Sequence, residues 1–331
     1  MKERRIPAPR VALLVALALA AAACSSGGGS AETSPSVSGP GGEFSAQVAS
    51  FDLSADRPQR LMVGILTSEN AFVAFGRVTF RFAYLGTREN PVDPPEAVGT
   101  PVEATFLPLV GTNPADVADG PRPIRSSEGP GVYEIRDHRF DRAGFWQVEV
   151  AADVRGLGPQ RATAAFEVLE HPAVPAPGDE ALPTENHTIG EKGIAPEAID
   201  SRAATGTIPD PELHRYTIKG AIAASLPAVV VFSTPVYCVS RFCGPVTDAV
   251  QALAARYGDR AVFIHVEIWR DFQGQTVNEA AADWLLRNDN LNEPWVFLIG
   301  ADGVIVDRWD NLLDEDELEA QLRDLPPGAV T

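Results

Sequence analysis

The chain reads as two folded parts: an all-β sandwich over residues 44–170, then an α/β unit over 213–331 with a mixed central sheet flanked by helices. Three observations carry this. Short runs of alternating apolar and polar residues recur through the first part with no helical period. A stretch rich in Pro, Gly and acid, 171–212, has no apolar period and reads as an extended linker. Beyond it, short apolar runs alternate with stripes at helical spacing. A length of 331 residues is enough for two domains.

The first part offers seven candidate strands: FSAQVASFDL, QRLMVGILTS, RVTFRFAYLG, VEATFLPLVG, GVYEIRDHRF, GFWQVEVAADV and ATAAFEVLE. In the sixth, Trp146, Val148 and Val150 share one face while Gln147 and Glu149 share the other, as a half-buried strand requires. Turn residues such as Asp141-Arg142-Ala143-Gly144 separate the runs, and the set predicts two packed sheets. In the second part, Asp210-Pro211 is a helix-start signal. The run Ala228 to Phe232 is a buried strand, and Val246, Val250, Leu253 and Tyr257 mark the helix it feeds. Ala261 to Ile268 is the next strand, followed by a helical stripe through Val277, Ala280, Ala281, Trp284 and Leu285. Trp295 to Ile299 and Val304 to Trp309 flank an Asp302-Gly303 turn and predict a hairpin. Asp314, with Glu317 three residues on, opens a last helix as a capping-box variant. The parallel crossover and the hairpin together predict a mixed sheet.

The N-terminus sets the compartment. Lys2, Arg4, Arg5 and Arg10 precede thirteen small or apolar residues, Val11 to Ala23. That is the pattern of a secretory signal, and it is shorter than the roughly 20 residues a transmembrane helix needs. Cys24 directly follows Ala-Ala-Ala, and this junction resembles the lipobox of bacterial lipoproteins, although Ala21 stands where Leu is usual. The resemblance implies a signal peptide over 1–23, a lipid on Cys24 and a membrane-anchored, extracytoplasmic protein. Residues 24–43, rich in Ser and Gly, then form a flexible tether. Removal of residues 1–23 takes the net charge from −18 to about −21, because four cations and one anion leave with them. So acidic a chain argues against nucleic acid as a partner.

With Cys24 acylated, Cys238 and Cys243 remain, a close pair in an oxidising compartment. They follow the first core strand in the string Thr234-Pro-Val-Tyr-Cys238-Val-Ser-Arg-Phe-Cys243-Gly-Pro245, and Glu293-Pro294 precedes the hairpin. On these residues and the order of elements, 213–325 resembles the thioredoxin superfamily. The resemblance implies a cis proline at 294 facing the cysteines, protein thiols or disulfides as partners, and no cofactor. The partner would dock in extended form along Glu293, Pro294 and Trp295. The first part, from Gly131 to Val150, resembles bacterial immunoglobulin-like modules in pattern alone.

The cysteine motif departs from its family: four residues separate the sulfurs where thioredoxins have two. One alignment makes Cys243 the attacking residue; the other, matched on the following helix, makes it the resolving one. The reading favours Cys238 as attacker. A thiolate forms at working pH only where something lowers its pKa, and the helix N-terminus near Pro245 and the Arg241 cation are the candidates. The expected function is an extracytoplasmic, lipid-anchored thiol–disulfide oxidoreductase with Cys238 and Cys243 catalytic. The alternatives are a non-catalytic binding lipoprotein with a structural disulfide and, less favoured, a copper-handling protein using His265. His265 lies in a core strand and reads first as a structural histidine, His214 as nearer the surface, and no metal site is expected. A peroxiredoxin-like motif fails at Pro235.

Overall fold

The computed structural model describes residues 36–37 (backbone only), 44–110, 120–125, 130–238, 240, 242–288 and 290–330. The expected signal segment 1–23, Cys24 and Arg241 lie outside the described residues.

The first part contains strands β1 (Ser36–Val37), β2 (Phe44–Val48), β3 (Gln59–Thr67), β4 (Phe72–Ala74) and β5 (Arg77–Gly86). It continues with β6 (Pro91–Pro108), β7 (Arg122–Ile124), β8 (Gly131–His138), β9 (Gly144–Val154) and β10 (Gly158–Val168). All seven expected runs form strands. The two-sheet expectation is corrected in connectivity. Among the described residues the ladder is one sheet, β1-β10-β9-β5-β6-β8-β3-β4-β7, with β2 paired to β3. That sheet wraps a single core. Phe44 and Ala46 of β2 share an apolar cluster with Ala164 and Phe166 of β10, at the far side of the strand order. Two register shifts between β5 and β6 relieve the pairing of this long ladder. Ser36 and Val37, expected within the tether, pair with Ala164 and Thr163.

The second part holds α1 (Ile218–Ala223), β11 (Ala228–Ser233), α2 (Cys243–Tyr257), β12 (Val262–Glu267), β13 (Trp269–Asp271) and β14 (Thr276–Val277). Then follow α3 (Glu279–Leu285), β15 (Trp295–Ile299), β16 (Ile305–Asp310) and α4 (Glu315–Asp324). The sheet order is β12-β11-β15-β16. β11 and β12 are parallel, and the other pairs are antiparallel. Alternation divides the sheet into two apolar faces. Val230, Phe232, Ile264 and Phe297 pack with Ala281 and Trp284 of α3 on one side. Val229, Val231, Phe263 and Val296 pack with Val250 and Leu253 of α2 and Leu318 and Leu322 of α4 on the other.

Several local expectations are met in detail. Gly303 takes a φ of +79° in the hairpin turn, a conformation open to glycine. The Asp314 side chain accepts from the Glu317 backbone N–H at 3.0 Å, which caps α4. One helix start is corrected. Asp210-Pro211 opens only a single 3-10 turn, Pro211–His214, with Asp210 left-handed at φ 48° and making no side-chain cap. Thr217 caps α1 instead, accepting from Gly220 N–H at 2.9 Å.

Residues 171–212 hold only bridges, the short 3-10 turn Pro196–Ala198 and the start of the one at Pro211–His214, yet they are packed rather than free. Ala176, Ala198, Asp200, Ser201 and Ala203 are buried. A segment without apolar period can still be buried when its small side chains and turn carbonyls fit a surface already formed, and composition does not register this.

Residues 31–331 form one compact unit, in which polar contacts join the two parts. Arg308 of β16 donates to Asp52 Oδ2 at 2.9 Å and to the carbonyls of Val174 and Pro175. Arg60 of β3 donates to the Arg308 carbonyl at 2.8 Å, and the Asn311 side chain donates to the Ala49 carbonyl at 3.0 Å.

Candidate redox site at the β11–α2 junction

The chain leaves β11 at Ser233, turns through Thr234–Cys238, and enters α2 at Cys243. Cys238 N–H donates to the Thr234 carbonyl at 3.1 Å, which closes the turn. The first helical hydrogen bond runs from Val246 N–H to the Phe242 carbonyl at 3.0 Å. Helix α2 thus starts at Cys243, two residues before the expected Pro245. Proline is accepted there because first-turn N–H groups lack helical partners.

That path brings Cys238 and Cys243 together as a disulfide with a Cα–Cα distance of 6.0 Å, within the usual range. The sulfurs differ in exposure. Cys243 is fully buried, while Cys238 is half-buried and 3.3 Å from the Ser240 hydroxyl. Beside Cys238, Val236 is 53 % exposed, and Tyr237 stacks flat on Phe272 with centroids 3.9 Å apart. On the inner side, Phe242 packs against Met62, Leu107 and Val132 of the first part and against Leu312. Phe242, just before Cys243, therefore rests on the β-rich part.

The expected partner-docking residues separate. Glu293–Pro294 is cis, as the resemblance implied. Pro294 is buried, however, and Trp295 is only 2 % exposed. Trp295 packs beside Phe297 and Phe51, with the Arg308 guanidinium over its ring. Of the expected docking strip, Glu293 is half-buried, Pro294 is buried just before β15, and Trp295 opens β15, a central strand covered on both faces. The Glu293 carboxylate reaches the sulfurs. One of its carboxylate oxygens and the two Sγ atoms all lie within 4.8 Å of one another. Its Oε2 accepts from Thr234 N–H at 2.7 Å.

The electrostatics around Glu293 are unusual. Desolvation, helped by the Glu267 charge and opposed by the Thr234 hydrogen bond, pushes its pKa up to about 8. Glu267 is buried and raised as well, chiefly by desolvation, and accepts from Ser201 N–H at 2.7 Å. Ser201 in turn meets the cysteine loop: its hydroxyl accepts from Val236 N–H at 3.2 Å and lies 3.4 Å from Thr234 Oγ1. The role of these acids is not legible in the sequence. An acid inside the apolar strand AVFIHVEI was the available sign for Glu267, whereas nothing local marks Glu293 as a neighbour of residues fifty or more positions away.

His265 is buried, and its Nε2 lies 3.0 Å from the Ser233 carbonyl. It groups with Asp200 and His214 and not with the cysteines, so the copper donor set of two cysteines and His265 is not brought together. His214, expected nearer the surface, is fully buried. No helix among the described residues is long and apolar enough to cross a membrane. Compared with known proteins, the chain matches no family model and no curated sequence.

Proposed function

We propose that this protein is an extracytoplasmic thiol–disulfide oxidoreductase, held to the membrane by a lipid on Cys24, that exchanges its Cys238–Cys243 disulfide with partner proteins. The C-terminal part is read as a thioredoxin-like fold and the first part as an immunoglobulin-like module. The observation that carries the reading is the pairing of a half-buried sulfur with a buried one at a strand–helix junction, next to a carboxyl that holds its proton near neutral pH.

The chemistry follows from that arrangement. A partner thiolate attacks Sγ of Cys238, the more accessible sulfur. The S–S bond breaks and Cys243 leaves as a thiolate at the start of α2, where the helix N-terminus favours negative charge. The protonated Glu293 carboxyl is close enough to supply the proton that the buried leaving thiolate needs. A second partner thiolate then attacks the mixed disulfide and releases Cys238 reduced. The partner gains a disulfide and the pair gains two electrons; the reverse sequence reduces a partner. Val236 and Tyr237 offer an apolar rim to a docking chain.

The burial of Cys243 also suits a second reading, a binding lipoprotein whose disulfide is only a staple. The Cys243→Ser variant separates the two. Expressed in the native envelope, it leaves Cys238 without its resolving partner, so mixed disulfides with specific proteins accumulate and vanish on reduction. A variant that captures no partner above the level of the double Cys→Ser control rejects the exchange reading.

A further inference from the structure

We propose that Asp200, His214 and His265 form a binding site for one divalent transition-metal ion of the zinc class, buried in the second part. The inference does not depend on the disulfide-exchange reading.

All three side chains are sealed from solvent. One donor atom from each lies within 4.8 Å of the others. His214 Nε2 and His265 Nδ1 each stand 3.4 Å from Asp200 Oδ2. An ion bound tetrahedrally at about 2.0–2.1 Å holds adjacent ligand atoms about 3.3–3.4 Å apart, so both measured edges fit such an ion. They are long for hydrogen bonds: the Asp200 carboxylate meets both rings as a charge contact, and His214 Nδ1, His214 Nε2 and His265 Nδ1 are buried with no well-aligned hydrogen-bond partner. Buried polar atoms left without partners call for an explanation, and an ion among them supplies it.

The surroundings orient the donors. His265 Nε2 faces the Ser233 carbonyl at 3.0 Å, so a proton there leaves the Nδ1 lone pair directed at the cluster. Arg202 grips Asp200 through Oδ1, from Nε at 3.0 Å and from its own backbone N–H at 2.8 Å. Its Nη2 also reaches Oδ2 at 2.7 Å and is shared with Asp210 at 2.8 Å. Asp248 stands 3.4 Å from the same guanidinium, so three carboxylates surround one cation and leave net negative charge for an incoming ion. Two imidazoles and one carboxylate suit zinc and its first-row neighbours and exclude magnesium or calcium, which take oxygen donors. The fourth ligand would be a water molecule enclosed with the ion. Bound there, the ion ties the irregular segment that carries Asp200 and the turn that carries His214 to strand β12, beside Ser201 and its contacts to the cysteine loop.

The test uses the full-length chain with its disulfide oxidised, so that no thiolate of the pair competes, titrated with Co(II) and with Zn(II) against a chromophoric chelator. One equivalent per chain is expected, with visible Co(II) ligand-field bands and no sulfur charge-transfer band. Asp200→Asn, His214→Gln and His265→Gln should each weaken Zn(II) binding at least tenfold, while His171→Gln, at an exposed histidine, leaves it unchanged. Circular dichroism establishes whether each variant folds. If the three variants do not fold, the wild-type chain decides, since zinc must raise its melting temperature and a chelator must reverse the rise. Absence of stoichiometric binding by the wild type, wild-type affinity in the folded variants, or a melting temperature indifferent to zinc overturns the proposal.

Discussion

Replacing Glu293 by Gln should change how stability depends on pH. In the folded chain this carboxyl titrates at about 8 against an ordinary 4.5, because burial, and then the Glu267 charge, disfavours its ionised form. Below pH 4.5 it is protonated whether the chain is folded or unfolded, and it does not affect the balance. Between 4.5 and about 8 the unfolded chain releases the proton and the folded chain keeps it, so stability falls as pH rises. Above about 8 both states are ionised and the penalty stays constant. At about 1.4 kcal/mol per pH unit the full gap corresponds to about 5 kcal/mol. Glu293 retains some contact with solvent, and screening reduces the expected effect to about 2–3 kcal/mol. Gln at this position can still accept from Thr234 N–H but carries no charge. Urea unfolding of the disulfide-intact proteins at pH 4.5 and pH 9 should show Glu293→Gln gaining about 2–3 kcal/mol on the wild type at the higher pH. Asp307 and Asp310 are common to both proteins and cancel in the difference, whereas Glu267 is coupled to Glu293, so the difference reports the titration of that pair. Parallel stability curves, with a difference constant to about 0.5 kcal/mol between the two pH values, would refute the assignment of a raised pKa to this carboxyl.

Two other substitutions probe how the parts are joined. Arg308→Ala leaves Asp52 buried without its cation and removes donors from three carbonyls, so a loss of about 3–5 kcal/mol is expected in denaturant unfolding; a loss under about 1 kcal/mol would mean the contact is solvated. Phe242→Ala removes the side chain that seats the cysteine loop on Met62, Leu107 and Val132. Because that ring is only half-buried, the expected cost is about 1–2 kcal/mol, and the reduced variant should be cut faster within 236–243 by a nonspecific protease. Cleavage at the wild-type rate would show that the β-rich part does not hold the loop.

Periodicity made most of the elements legible. The strands of the first part and the order strand, helix, strand, helix, strand, strand, helix in the second follow from where apolar residues recur. Capping at Asp314 and the turn at Gly303 were readable because each is set by a few adjacent residues. Long-range partnership was not readable. The two-sheet expectation gave way to one wrapped sheet because strand pairing depends on hydrogen bonds between distant segments. Asp210-Pro211 carries a helix signal, but the chain bends after one turn because His214 is drawn into the buried group with Asp200 and His265. Of the candidate site, the closely spaced cysteines were legible and the resemblance set Pro294 facing them, while nothing showed that the Glu293 carboxyl stands beside the sulfurs with a raised pKa. Trp295 illustrates the same limit: its place next to Pro294 suggested contact with a partner, yet it begins a central strand and its ring packs near Phe51 of the first part.

The exchange activity itself is tested most directly by equilibrating the full-length chain with glutathione redox buffers and counting free thiols at Cys238 and Cys243 by mass spectrometry. An exchanging pair reaches the same oxidised fraction from either starting state, passes through a glutathione adduct on Cys238, and equilibrates more slowly at pH 7 in Glu293→Gln. A disulfide that stays fully oxidised across buffers that reduce ordinary surface disulfides, with no adduct on either cysteine, would contradict the account.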